Sequence, residues 1–114
     1  MENLIHLSDV DMLEAAIAES RDRPVLLFKH SRSCGISCEA LDELHAHLES
    51  GDSIAAYKMI VVQNHRRVSD TVSQRLGIRH ETPQAILLRG GEAVWAASHF
   101  RITASEIARV LSAS

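Results

Sequence analysis

Only two of the 114 residues are cysteine, two are proline, and the aromatic rings amount to one Trp, one Tyr and two Phe. So little cysteine excludes the disulfide framework that holds small secreted domains together. No apolar run approaches the roughly 20 residues that a membrane-spanning helix needs. Charge of one sign is also missing. Twelve basic and 15 acidic side chains leave a net charge of -3, and the basic ones are mostly Arg scattered along the chain. That balance gives no electrostatic footprint for nucleic acid. The opening Met1-Glu2-Asn3-Leu4 has neither a basic segment nor an apolar signal region, so a reducing cytoplasm is the expected compartment. A hydrophobic content of 46% against 24% charged residues is an ordinary globular composition. One domain over residues 1–114 is expected.

Leu4 to Leu7 is a short strand candidate. Ser8 is the expected N-cap of a helix over 9–20, which carries Val10, Leu13 and Ile17 at helical spacing. Pro24 closes that segment. Val25 to Phe28 is a continuous apolar run with the pattern of a strand buried on both faces. His30 lies at the end of that strand, and a polar, small-residue turn after it leads into a helix on Leu41, Leu44 and Leu48, stopped at Ser50-Gly51-Asp52. Ala55 to Val62 is the next strand. Arg66 to Leu76 is a helix closed by Gly77. Gln84 to Leu88 and Glu92 to Ala97 form a hairpin around Gly90-Gly91. Thr103 with Glu106 three residues on is a capping box for the last helix. The order β-α-β-α-β-α-β-β-α implies an α/β fold: a mixed five-stranded sheet with helices on both faces. It resembles the thioredoxin fold with its extra N-terminal β-α unit, an α/β/α sandwich. In that fold a cis-proline loop lies opposite the cysteine, which is the place expected here for Thr82-Pro83. There the preceding backbone can pair with an extended partner chain.

Both cysteines fall in Cys34-Gly35-Ile36-Ser37-Cys38. A thiol at a helix start faces unpartnered amides and the positive end of the helix dipole, which favour thiolate. Cys34 is therefore the candidate nucleophile. Arg32, with Lys29 and His30, is a candidate source of positive charge near the sulfur, and His30 is either a proton shuttle or an ordinary strand-end histidine. Cys38 shares a helix face with Cys34 at i, i+4. It is either a resolving thiol or a small residue at the edge of the helix's apolar face. The seven histidines have no zinc-ligand spacing, so no metal is expected, and no glycine pattern for nucleotide phosphates is present.

Phe28-Lys29-His30-Ser31-x-x-Cys34-x-Ile36-Ser37 resembles the active-site signature of the monothiol bacilliredoxins of the thioredoxin superfamily. Their turn is similar to Cys-Pro-Ile-Ser, with Gly35 here in place of the proline. Thr82-Pro83-Gln84 and the segment Trp95 to Thr103 resemble further family landmarks. The resemblance implies a thiol–disulfide oxidoreductase that removes bacillithiol, or a similar low-molecular-weight thiol, from client proteins through Cys34. Ser37, where a dithiol enzyme has its second cysteine, fits a one-cysteine cycle. The implied partners are thiolated client proteins and the small thiol as co-substrate, with no bound cofactor, no nucleic acid and no membrane, in a monomer or weak dimer. Cys34-Gly35-Ile36-Ser37 also resembles the Cys-Gly-Phe-Ser turn of monothiol glutaredoxins, which implies an iron–sulfur cluster carrier instead. A thioredoxin-fold binding module without turnover is the third reading.

Overall fold

The computed structural model describes residues 4–33, 35–49 and 55–112. Cys34 and the expected helix stop at Ser50-Gly51-Asp52 lie outside them. The elements are β1 (Leu4–His6), α1 (Val10–Glu19), β2 (Val25–His30), α2 (Gly35–Glu49), β3 (Ala56–Val61), α3 (Arg66–Leu76), β4 (Gln84–Arg89), β5 (Glu92–Ser98), a 3-10 turn (His99–Arg101) and α4 (Ala104–Ser112). The sheet runs β1-β3-β2-β4-β5. Its first three strands are mutually parallel, and β4 pairs antiparallel with both β2 and β5. This is the thioredoxin-like fold.

Strand alternation divides the core between the two faces of the sheet. Leu26, Phe28, Met59, Val61, Ala85 and Leu87 pack with Ala40, Leu44, Ile107 and Val110 from α2 and α4. Val25, Leu27, Ile60, Ile86 and Leu88 pack with Leu13, Ile17, Val68 and Val72 from α1 and α3. At the centre of the sheet, β2 is buried at all six positions. It extends two residues past its apolar run, through Lys29 to His30 at the strand end, where the sequence places that histidine.

Local signals set most of the boundaries. Gly77 takes a left-handed φ of 67° after α3, and Gly90 and Gly91 take φ of 63° and 83° in the hairpin turn. Only glycine adopts such angles without steric penalty. The hairpin tip is fastened to the end of α1, because Gly90 N donates to Ser20 O (2.7 Å) and Gly91 N to Ser20 Oγ (2.8 Å). Two caps differ from expectation. Asp9, not Ser8, caps α1, its carboxylate accepting from Met12 N at 2.8 Å. Both residue types can cap, and the chain uses the one nearer the apolar stripe. At α4, Thr103 Oγ1 accepts from Glu106 N at 3.1 Å, but the Glu106 carboxylate turns to Arg109 instead of closing the box.

Candidate active site

Parallel β2 and β3 are neighbours, yet α2 packs on one face of the sheet and α3 on the other. Their carboxyl ends therefore flank a topological switch point, where open α/β sheets leave a crevice for ligands. The loop leading to Cys34 leaves β2 here, and the turn Val62 to His65 leaves β3 beside it.

Alternation sends the last two residues of β2 to opposite faces. His30 joins Phe28 on the α2 side, where the two rings stack at 6.1 Å. Its Nδ1 lies 2.8 Å from Ser37 Oγ, and Ser31 N donates to the same oxygen at 2.9 Å. Ser37 Oγ accepts from Ser31, and its bond with His30 Nδ1 runs in either direction according to the tautomer of the ring. Burial, reinforced by Arg32 and His6, holds the His30 pKa below its ordinary value and favours the neutral imidazole. Ser37 is fully buried. Its hydroxyl ties the first turn of α2 to the end of β2, and the loop with them.

Lys29 goes the other way. The sequence suggested it as charge near the thiol; its side chain shares the α1/α3 side with Val25 and Leu27. Its Nζ reaches Ser73 Oγ (3.2 Å) and His80 Nδ1 (3.1 Å). The strand period of two decides the matter, because consecutive residues cannot both face α2. Burial lowers its pKa from 10.5 to about 8, against an opposing pull from Asp70. The tether to His80 holds the segment that runs into Thr82-Pro83.

The loop of Ser31, Arg32 and Ser33 is also gripped from β3. Gln63 Oε1 accepts from Arg32 N at 3.2 Å, and Gln63 Nε2 donates to Ser31 Oγ (2.8 Å) and Ser33 Oγ (3.1 Å). Arg32 Nη2 donates to Asn64 Oδ1 at 2.9 Å. Arg32 is exposed, so its guanidinium is a surface charge at this loop. Neither Gln63 nor Asn64 stands out in the sequence. What would have marked them is the adjacency of β3 to β2, which follows only once the sheet order is known.

Gly35 is the exposed first residue of α2. A Cβ there would meet nothing within 4 Å. No acidic residue in the first turn of α2 offsets the positive end of its dipole. Cys38, one turn in, is exposed rather than packed at the edge of the apolar face. Its thiol is open to solvent, while Ala40 and Leu44 make the buried stripe.

The Thr82-Pro83 peptide is cis. Gln84, the next residue, pairs with Lys29 of β2 and Ser98 of β5, which places the proline at the same end of the sheet as the loop. Pro83 O accepts from His99 N at 3.1 Å, joining the 3-10 turn to the cis-proline. Among the described residues Thr82 donates and accepts no hydrogen bond. Glu81 accepts from Ser98 Oγ and stands 3.8 Å from His99 Nδ1. The Ser98 hydrogen bond comes first among the causes that lower its pKa. No group of three or more metal-ligating side chains occurs among the described residues, and no helix there is long and apolar enough to cross a membrane.

A cysteine-bearing loop at the switch point, a helix starting directly after it and a cis-proline at the same sheet end define a thioredoxin-fold protein of thiol-oxidoreductase type. A solved structure of a candidate oxidoreductase with a thioredoxin fold matches at a TM-score of 0.84 and 34% identity, over 94% of this chain and 92% of that one. Thioredoxin from Fasciola hepatica (TM-score 0.74, 14% identity, 95% and 96% of the two chains) and chloroplastic thioredoxin z (0.75, 21%, 97% and 93%) share the fold. The family model described as monothiol bacilliredoxin BrxC matches residues 5–107, and the chain belongs to that family.

Proposed function

We propose that this chain releases client proteins from mixed disulfides with a low-molecular-weight thiol of the bacillithiol kind, using Cys34 as the one essential sulfur. The Cys34 thiolate attacks the small thiol's sulfur. The S–S bond between the client's cysteine sulfur and the small thiol's sulfur breaks, and the client leaves as thiolate and takes a proton from solvent. Cys34 is then joined to the small thiol. A second molecule of that thiol, as thiolate, attacks this bond, restores Cys34 and departs as the oxidised dimer. Thr82 offers an unpaired peptide N–H and C=O to an extended client segment.

The observation that carries the one-cysteine cycle is Ser37. It occupies the place of a second active-site cysteine, is fully buried, and commits its hydroxyl to His30 and Ser31. A hydroxyl cannot resolve a disulfide, so in this reading an external thiol does, with exposed Cys38 the internal alternative that a Cys38→Ser variant separates. Lys29 supports the site through the segment before Thr82, and Arg32 through its bonds to Gln63 and Asn64 at the surface of the loop. A peptide carrying bacillithiol on its cysteine tests the cycle. With excess bacillithiol, release is expected to persist in Cys38→Ser and to vanish in Cys34→Ser. Release that needs Cys38 as well would replace the one-cysteine cycle with a dithiol one.

A further inference from the structure

We propose that Gln63 is a positioning residue for Cys34: its carboxamide, reaching across the switch point from β3, fixes the direction from which the thiolate attacks. This rests on the reading of Cys34 as nucleophile and adds a residue that acts through it.

Three bonds from one side chain carry the inference. Gln63 Oε1 takes the Arg32 N–H, and Gln63 Nε2 gives to both Ser31 Oγ and Ser33 Oγ. The three consecutive residues that lead to Cys34 are therefore all held by one carboxamide. Asn64 adds a fourth tie through the Arg32 guanidinium. The two serine hydroxyls are 3.4 Å apart and face the same amide. From below, Ser37 Oγ holds Ser31 N. The loop is thus pinned on two sides, by α2 beneath and by the β3 turn alongside.

The clamp is costly to arrange by chance. Gln63 is exposed, and holding a long, flexible side chain in one rotamer loses conformational entropy. Among the described residues Ser31, Arg32 and Ser33 make no backbone–backbone hydrogen bond, and side-chain bonds order the loop there. In-line attack on a disulfide requires the thiolate, the central sulfur and the leaving sulfur to align. Misplacing a reacting atom by about 1 Å can lower a rate by about 10²-fold. A residue can therefore set the rate through the geometry of the loop that carries the thiol.

Two substitutions separate positioning from other effects, both in the Cys38→Ser background. Gln63→Ala removes all the bonds. Gln63→Glu keeps an acceptor for Arg32 N, and its second oxygen accepts from the serine hydroxyls, which are themselves donors. Single-turnover transfer from a bacillithiolated peptide is followed from pH 5 to 10, beside iodoacetamide alkylation, which reports ionisation of Cys34 alone. Thermal melting verifies that each variant is folded.

Gln63→Ala is expected to lower the high-pH plateau of transfer about tenfold, while its alkylation plateau stays within about twofold. Gln63→Glu is expected to keep the transfer plateau and to shift the alkylation midpoint upward, because a carboxylate now lies beside the loop. A transfer plateau in Gln63→Ala within about twofold of the parent would overturn the inference, as would equal losses in both variants. Absence of Cys34-dependent transfer in the parent protein would overturn the functional reading itself, and this result differs from either of those.

Discussion

Replacing Lys29 by Met gives a test in which the size and sign of the effect follow from the structure. The folded chain lowers the Lys29 pKa from 10.5 to about 8, chiefly by burial. Between those values the unfolded chain binds a proton that the folded chain does not, so stability rises with pH across the window. The difference of about 2.5 pKa corresponds to at most about 3 kcal/mol, gained as pH climbs from roughly 8 to 10.5. Below pH 8 both states are protonated and the full penalty of burying an ammonium applies. Met has similar length and no charge, so the rise disappears with it. At pH 7 the variant loses two hydrogen bonds to partly exposed partners but also sheds the buried charge. It is expected to be as stable as the parent or somewhat more so. Urea denaturation of both proteins at pH 7, 8, 9 and 10 measures this. Other groups titrating in the range cancel when the two stabilities are subtracted. The parent's stability should gain on the variant's as pH rises. A difference that is flat in pH, or falls, would refute the reasoning about where the amine sits.

Ser37→Ala strips the buried hydroxyl and orphans Ser31 N–H. A loss of about 1–3 kcal/mol is expected, equivalent to roughly 4 °C or more in melting temperature for each kcal/mol in a chain of this size; a loss below about 0.5 kcal/mol would mean the hydroxyl is not an anchor. In acid, His30, His47 and His80 all have pKa values lowered by burial. Their contribution is complete above the ordinary 6.5 and is lost as pH falls through that value toward the folded ones. The urea midpoint should decline below pH 6.5, and a midpoint unchanged down to pH 5 would contradict this.

What the sequence made legible was local. The glycine after α3, the Gly-Gly hairpin, the Thr103 cap and the buried run of β2 each follow from a few neighbouring residues, and each occurs where those residues indicate. Lys29 and His30 were harder. As charged or polar residues after an apolar run they carry no strand propensity of their own, but β2 lies between β3 and β4, and ladder pairing extends it to Lys29 on the β4 side and to His30 on the β3 side. Their opposite roles follow from that extension, which propensity alone does not supply. Gln63 was illegible because its meaning depends on a strand pairing about thirty residues away, with nothing unusual in its own surroundings.

In the proposed cycle one sulfur carries the exchange, and intact-mass spectrometry of a single turnover, with bacillithiolated peptide in excess and no free thiol, reads this out most directly. A protein heavier by one small thiol, attached at Cys34, is expected, with the peptide released reduced and no internal disulfide. A product with Cys34 joined to Cys38 and the small thiol expelled would contradict it, and so would an unmodified protein beside intact peptide disulfide.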